Sequence, residues 1–256
     1  MHRFSEIYFS RKKGKSWISP VLLPLPYDSV SSFAHPSLRG DGKVLYFSSD
    51  MKGGFGGKDI WYIKKIKRDE WSEPINMGDK INTSGNELFP FIHNDGSLYF
   101  SSDGLVGMGG MDIFKAEFDS ENNLRSVSNM KSPINSSNDD FGIIFEDEDE
   151  KGYLSSNRLG SKGDDIYQFH LPKLNLTISG VITDIKSNQV VSGAKVEIVG
   201  SDGSKSETVT DNSGRYLFGK DFVKENVSYN ITVSKEGYLS NNFSETTIGV
   251  KESVNL

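Results

Sequence analysis

The segment HPSLRGDGKVLYFSSDMKGGFGGKDIWYI, His35 to Ile63, holds a turn, a strand, a glycine loop and a second strand in sequence. Asp41-Gly42 is a tight-turn dipeptide, because the glycine reaches positive φ without a Cβ penalty. Val44-Leu45-Tyr46-Phe47 is a short apolar run suited to a strand buried on both faces. Gly53-Gly54-Phe55-Gly56-Gly57 cannot continue a strand and predicts a loop. Asp59-Ile60-Trp61 then starts the next strand.

Moving outward, the pattern recurs. Phe89 to Ala116 reads FPFIHNDGSLYFSSDGLVGMGGMDIFKA, and Phe141 to Phe169 reads FGIIFEDEDEKGYLSSNRLGSKGDDIYQF. Tyr46, Tyr99 and Tyr153 are 53 and 54 residues apart, and Asp59, Asp112 and Asp165 are 53 apart each time. The serine pairs Ser48-Ser49, Ser101-Ser102 and Ser155-Ser156 keep the same register, as do the connectors. Trp17 matches Trp71, Pro20 matches Pro74, and Ile81-Asn82-Thr83-Ser84 matches Ile134-Asn135-Ser136-Ser137. A fourth strand is expected near Trp71 to Met77, and nothing in the region has helical periodicity. Four short strands per period of this length is the signature of a β-propeller blade. Glu6-Ile7-Tyr8 falls in register with Asp59-Ile60-Trp61, so the copies begin and end partway through a unit. That register predicts further copies before Met1, in which case the start of this chain says nothing about a leader.

The shared core resembles the WD40-like propeller repeats of the TolB type, also called PD40 repeats, over about residues 4–170. The resemblance implies an all-β fold, an incomplete propeller over residues 1–172.

After Leu171-Pro172-Lys173, a predicted hinge, the pattern changes. Leu176 to Ile182, Ala194 to Ile198 and Tyr229 to Val233 alternate apolar and polar residues, and turn residues separate them. Regular alternation of this kind predicts a small sandwich over residues 173–256. Gly180-x-Ile182-x-Asp184, Val191-x-Gly193-Ala194-x-Val196, Thr210-Asp211-x-x-Gly214-x-Tyr216-x-Phe218 and Lys235-x-Gly237-Tyr238 occur in that order. They resemble the carboxypeptidase regulatory-like domain, a transthyretin-like, seven-stranded sandwich that serves as a structural or adhesive spacer. Gly214 is expected to take a left-handed turn conformation.

Composition excludes several chemistries. With no cysteine among 256 residues there is no disulfide, thiolate site or cysteine nucleophile. The net charge is −6, and the one basic cluster, Lys64, Lys65, Lys67 and Arg68, reads as a solvated strand end rather than a nucleic-acid face. No apolar run is long enough to span a membrane.

The repeated polar residues read as structural. Ser48, Ser49, Ser101, Ser102, Ser155 and Ser156 lack a recurring histidine base and are expected to hydrogen-bond within the repeat and cap the glycine loops. Asp59, Asp112 and Asp165 are expected to accept backbone N–H bonds at the loop-to-strand junction. Tyr46, Phe47, Trp61, Tyr99, Phe100 and Phe114 read as core, and Tyr153 holds the matching repeat position. The serine–aspartate stretches lack the spacing and tryptophan of a sialidase Asp-box, and no arginine recurs at the repeat period. Glu146 to Glu150 is an acidic turn replacing Asp-Gly, without the ligand spacing of a calcium loop. His2, His35, His93 and His170 are dispersed. No catalytic, cofactor-binding or metal-binding residue is therefore assigned.

The order of propeller repeat, then regulatory-like sandwich, resembles the middle of OmpA-family envelope proteins of Bacteroidota, including the PorE-type component of the type IX secretion system. The resemblance implies a non-enzymatic scaffold in the periplasm, associated with the outer membrane, whose partners are other envelope proteins. Peptidoglycan would be reached only through a domain outside these residues. Asp28-Ser29-Val30 also fits a short O-glycosylation motif of that phylum. A glycan-binding surface module and an accessory propeller of a hydrolase are the alternative readings.

Overall fold

The Asp-Gly turns and serine–aspartate segments fold as successive antiparallel sheets in the computed structural model, which describes residues 4–67, 70–119, 121–146, 151–171, 174–250 and 253–256. The fold is all-β, and the chain divides into two compact units, Met1–Leu171 and Pro172–Leu256.

The first unit opens with two small ladders. Strand β1 (Tyr8–Phe9) pairs with β4 (Val21–Leu22), and β2 (Lys12–Lys13) pairs with β3 (Ser16–Trp17). A larger sheet follows. Its strands β5 (Phe33–Leu38), β6 (Val44–Ser49) and β7 (Asp59–Lys67) run in sequence order, and β8 (Glu70–Trp71) and β9 (Ile75–Asn76) both pair with β7. The expected fourth strand is thus split in two. Pro74 lies at the break, where a residue without an N–H cannot donate to the ladder. The next sheet orders β10 (Glu87–Ile92), β11 (Leu98–Ser102), β12 (Asp112–Phe118) and β13 (Leu124–Asn129). The last has β14 (Asp140–Phe145), β15 (Lys151–Ser156) and β16 (Asp165–His170), with no fourth strand among the described residues. The sheets form no closed ring among the described residues.

The core of this unit lies between successive copies. Ile7, Leu23 and Leu25 pack with Phe33, Phe47 and Trp61 of the following sheet. Ile60 packs with Ile81, Ile92, Leu98 and Phe100, and Ile113 with Ile134, Ile143 and Leu154. Each copy therefore supplies one wall of the next copy's core, the arrangement that makes repeat arrays stable only as neighbours.

The second unit is a sandwich. Strand β17 (Ile178–Val181) pairs with β20 (Arg215–Phe218). The opposing sheet orders β19 (Lys205–Val209), β18 (Lys195–Gly200), β21 (Ser228–Ser234) and β22 (Asn241–Thr246). Alternate residues Val196 and Ile198 of β18, and Tyr229, Ile231 and Val233 of β21, point inward onto Ile178, Tyr216 and Phe218. A one-residue slip would expose this whole set, which is what fixes the register. Among the described residues these are six strands plus isolated bridges, where the family resemblance implied seven strands. Gly214 sits at φ 71°, and a Cβ there would stand 2.8 Å from the Ile182 carbonyl oxygen. Both its conformation and its close approach require glycine.

Candidate functional site

The polar residues of the repeat converge at the junctions between copies. The first strand of each of these three sheets, β5, β10 and β14, carries a bulge, between Ala34 and Ser37, Leu88 and Phe91, and Phe141 and Ile144. One residue in each bulge is left-handed: His35 (φ 52°), Phe89 (φ 52°) and Gly142 (φ 66°). These positions are in register with one another. Pro36 and Pro90 follow the first two, and a proline inside a strand is the sequence signal that could have located the bulges. The His35 ring stacks on Phe89 at 3.9 Å, and Phe89 stacks on Phe141 at 5.1 Å.

This geometry brings His35 onto Ser48, with Nδ1 and Oγ 2.8 Å apart. The sequence did not place a histidine there. The Phe89 N–H also points at Nδ1, at 3.4 Å, so Nδ1 is the acceptor and the Ser48 hydroxyl the donor. Burial, reinforced by the Lys58 charge, lowers the His35 pKa and keeps the ring neutral near pH 7. A serine–histidine contact is the start of an acyl-transfer site, but that chemistry also needs an exposed nucleophile and a group orienting the base. Ser48 is fully buried. No carboxylate bonds the other ring nitrogen among the described residues.

The other serines divide by position. Ser49 Oγ accepts the Met51 N–H at 3.1 Å, Ser102 Oγ accepts those of Gly104 and Leu105 at 3.1 Å, and Ser156 Oγ accepts that of Arg158 at 3.1 Å. The second serine of each pair thus caps the turn after the strand. The first does not behave uniformly: Ser48 meets His35, Ser155 is half-buried, and buried Ser101 Oγ has no hydrogen-bond partner among the described residues, which departs from the bonding expected of it. Asp59 accepts the N–H groups of Phe55 and Gly56, Asp112 those of Met108 and Gly109, and Asp165 that of Lys162. Each carboxylate folds back over its own glycine loop. Asp59 and Asp112 are buried, whereas Asp165 is exposed.

Tyr46 and Tyr99 project onto the following sheet, among Ile81, Leu98 and Phe114 for the first and Ile134, Ile143 and Leu154 for the second. Tyr153 lies on β15, in the last of these three sheets. Its hydroxyl donates to Glu146 at 2.8 Å, which holds its pKa up.

Sequence reasoning missed the residues that join the copies. Asn82 Oδ1 accepts the Ile60 N–H at 2.7 Å, while its Nδ2 donates to the Ile60 carbonyl at 3.0 Å and to Asn76 Oδ1 at 2.8 Å. Asn135 repeats this on Ile113 and Asn129 at 2.9 Å throughout. Fully buried Glu87 accepts from the Thr83 N–H and hydroxyl and from the Ser102 hydroxyl. Burial pushes its carboxyl upward against those hydrogen bonds, and the Asp59 charge adds to the push. In the next copy Asp140 takes this place, receiving Ser136 and the guanidinium of Arg158 at 2.6 Å. The recurring Ile-Asn-Thr/Ser connector was the visible signal for Asn82, Thr83, Asn135 and Ser136.

Among the described residues no group of three or more His, Asp or Glu side chains gathers as a metal site. Asp147 to Glu150 of the acidic turn, Arg68 of the basic cluster, His2, and Pro172-Lys173 of the expected hinge lie outside the described residues. Lys64 and Lys65 lie over the rings of Tyr62 and Trp71, and Lys67 pairs with Glu70 at 3.2 Å.

Residues 177–256 match the family model of the carboxypeptidase regulatory-like domain, which identifies the sandwich unit. No curated protein matches the chain. Among solved structures, the chain is similar to a "Biofilm associated protein - BSP domain", at 10% identity and a TM-score of 0.18, over 83% of this chain and 45% of that one. The chain thus spans less than half the length of that structure.

Proposed function

We propose that the first unit is a run of propeller blades and that the chain is a non-enzymatic, protein-binding scaffold of the bacterial periplasm and outer membrane, with the carboxypeptidase regulatory-like unit as its spacer. The observation that carries this reading is the fate of the reactive side chains. Ser49, Ser102 and Ser156 cap turns, Asp59, Asp112 and Asp165 close loops, and Ser48 bonds His35 out of reach of solvent. What remains at the surface is loops on stacked sheets, the form in which repeat proteins present binding surfaces. The four-stranded β10–β13 sheet supports the blade reading, and the repeat's resemblance to the OmpA-family, type IX secretion arrangement supports the compartment and the partners. On this reading the partners are other envelope proteins, and peptidoglycan is contacted by a further domain.

Crosslinking in intact envelopes, with mass-spectrometric identification of the linked lysines, tests it. Crosslinks from first-unit lysines to specific envelope proteins are expected. Turnover of ester, peptide or glycoside substrates that is lost in Ser48→Ala would overturn it, and binding confined to glycans on an array would favour a glycan-binding module instead.

A further inference from the structure

The acidic-Ile-aromatic motif occurs at four places: Glu6-Ile7-Tyr8, Asp59-Ile60-Trp61, Asp112-Ile113-Phe114 and Asp165-Ile166-Tyr167. Ile7, Ile60 and Ile113 are 5%, 0% and 0% exposed, whereas Ile166 is 77% exposed. The first three are covered in one manner. A side chain from the following copy caps the isoleucine main chain: Tyr27 Oη on Ile7 N–H and C=O at 3.1 Å each, Asn82 on Ile60, and Asn135 on Ile113. A backbone N–H from the fourth-strand position then reaches the same carbonyl, from Leu23, Met77 and Met130 at 2.9, 3.1 and 3.0 Å. A third bond joins the first strand of the next sheet to the residue before the acid, from Phe33 to Ser5, Glu87 to Lys58 and Asp140 to Met111. Among the described residues nothing takes these places around Ile166.

The internal copies therefore specify what fits there: a surface already shaped to receive an isoleucine–aromatic strand. The described residues hold three such surfaces. Those for Ile60 and Ile113 are filled by long strands of complete sheets. The one for Ile7 is filled by two-residue β1, which among the described residues pairs with the two-residue β4 alone and beside which Tyr8 and Val21 stay half exposed. Ile7-Tyr8 is also the same dipeptide as Ile166-Tyr167.

We propose that this chain associates head to tail with a second copy by strand exchange, Asp165-Ile166-Tyr167 of one molecule taking the place of Glu6-Ile7-Tyr8 in the other. Ile166 enters the pocket of Leu23, Leu25 and Phe33, Tyr27 caps its main chain, and β4 pairs with β16 in the register it now keeps with β1. The two surfaces are different patches, so the contact does not close on itself and the assembly grows with concentration. The inference does not depend on the envelope reading, and its failure would leave that reading in place.

Sedimentation velocity of the whole chain over a concentration series tests it. The weight-average mass is expected to rise above the 28.4 kDa of one chain. Ile166→Asp, at an exposed position, should fold normally and associate about 10- to 100-fold more weakly, the fold-change matching loss of one buried isoleucine. Ile7→Ala loosens the resident strand and should strengthen association. A mass of one chain up to about 1 mM, an Ile166→Asp variant that associates like the parent, or an Ile7→Ala variant that associates less would each overturn the proposal.

Discussion

Replacing Asn82 by alanine isolates the contact between one copy and the next. Asn82 is 1% exposed, and its amide serves both main-chain groups of Ile60. The two groups fare differently on its removal. The Ile60 carbonyl keeps the Met77 N–H at 3.1 Å. Asn76 Oδ1 keeps the Gly78 N–H at 2.8 Å. The Ile60 N–H keeps nothing, and it lies in the core with Ile81 and Phe100. An orphaned buried donor costs about 1–3 kcal/mol, and the lost Asn76 bond about 1 kcal/mol more, for a destabilisation of roughly 2–4 kcal/mol. All three tryptophans, Trp17, Trp61 and Trp71, belong to the first unit. Tryptophan fluorescence during urea unfolding therefore follows that unit alone, which matters because a chain of two units need not unfold in one step. Asn135→Ala should behave alike through Ile113. A loss below about 0.5 kcal/mol, the range of ordinary surface substitutions, would refute the assignment of Asn82 as the clamp between copies.

Glu87→Gln tests the buried carboxyl through pH. Its folded pKa stands above the ordinary glutamate value of 4.5, chiefly through burial, so the folded state holds the proton more tightly than the unfolded one. The stability linked to this group is present below 4.5 and is lost as pH rises through the folded value. Wild-type stability minus that of Glu87→Gln should fall as pH rises through this window, and a flat difference in urea titrations would contradict it. In the second unit, Gly214→Ala should cost at least about 1–2 kcal/mol from the left-handed backbone alone, with more from the contact at the Ile182 carbonyl. Scanning calorimetry should show only the second unit's transition shifting.

The periodic elements were legible in the sequence because their cause is local. Asp41-Gly42 and Asp95-Gly96 set turns, the apolar runs after them set strands, and the alternation from Ala194 to Ile198 set the inward face of β18. The regulatory-like unit was legible for the same reason, since Thr210 to Phe218 combines a required turn glycine with an alternating strand. What could not be read was which polar residue meets which across copies. Asn82 and Ile60 are 22 residues apart and meet where one copy packs on the next, while Glu87 and Ser102 are 15 apart and meet only because β10 pairs with β11. The His35–Ser48 contact depended on a left-handed bulge that a histidine does not advertise. Ile166 and Ile60 share the Asp-Ile-aromatic pattern, and their opposite burial is set by what packs beyond them.

Amide hydrogen exchange resolved at Ile7, Ile60, Ile113 and Ile166, at a concentration where sedimentation shows a monomer, tests serial capping of copies most directly. The account predicts strong protection at Ile60 and Ile113, intermediate protection at Ile7 on its short strand, and exchange at Ile166 close to that of an open chain. Four isoleucines exchanging alike, or Ile60 and Ile113 exchanging as fast as Ile166, would contradict it.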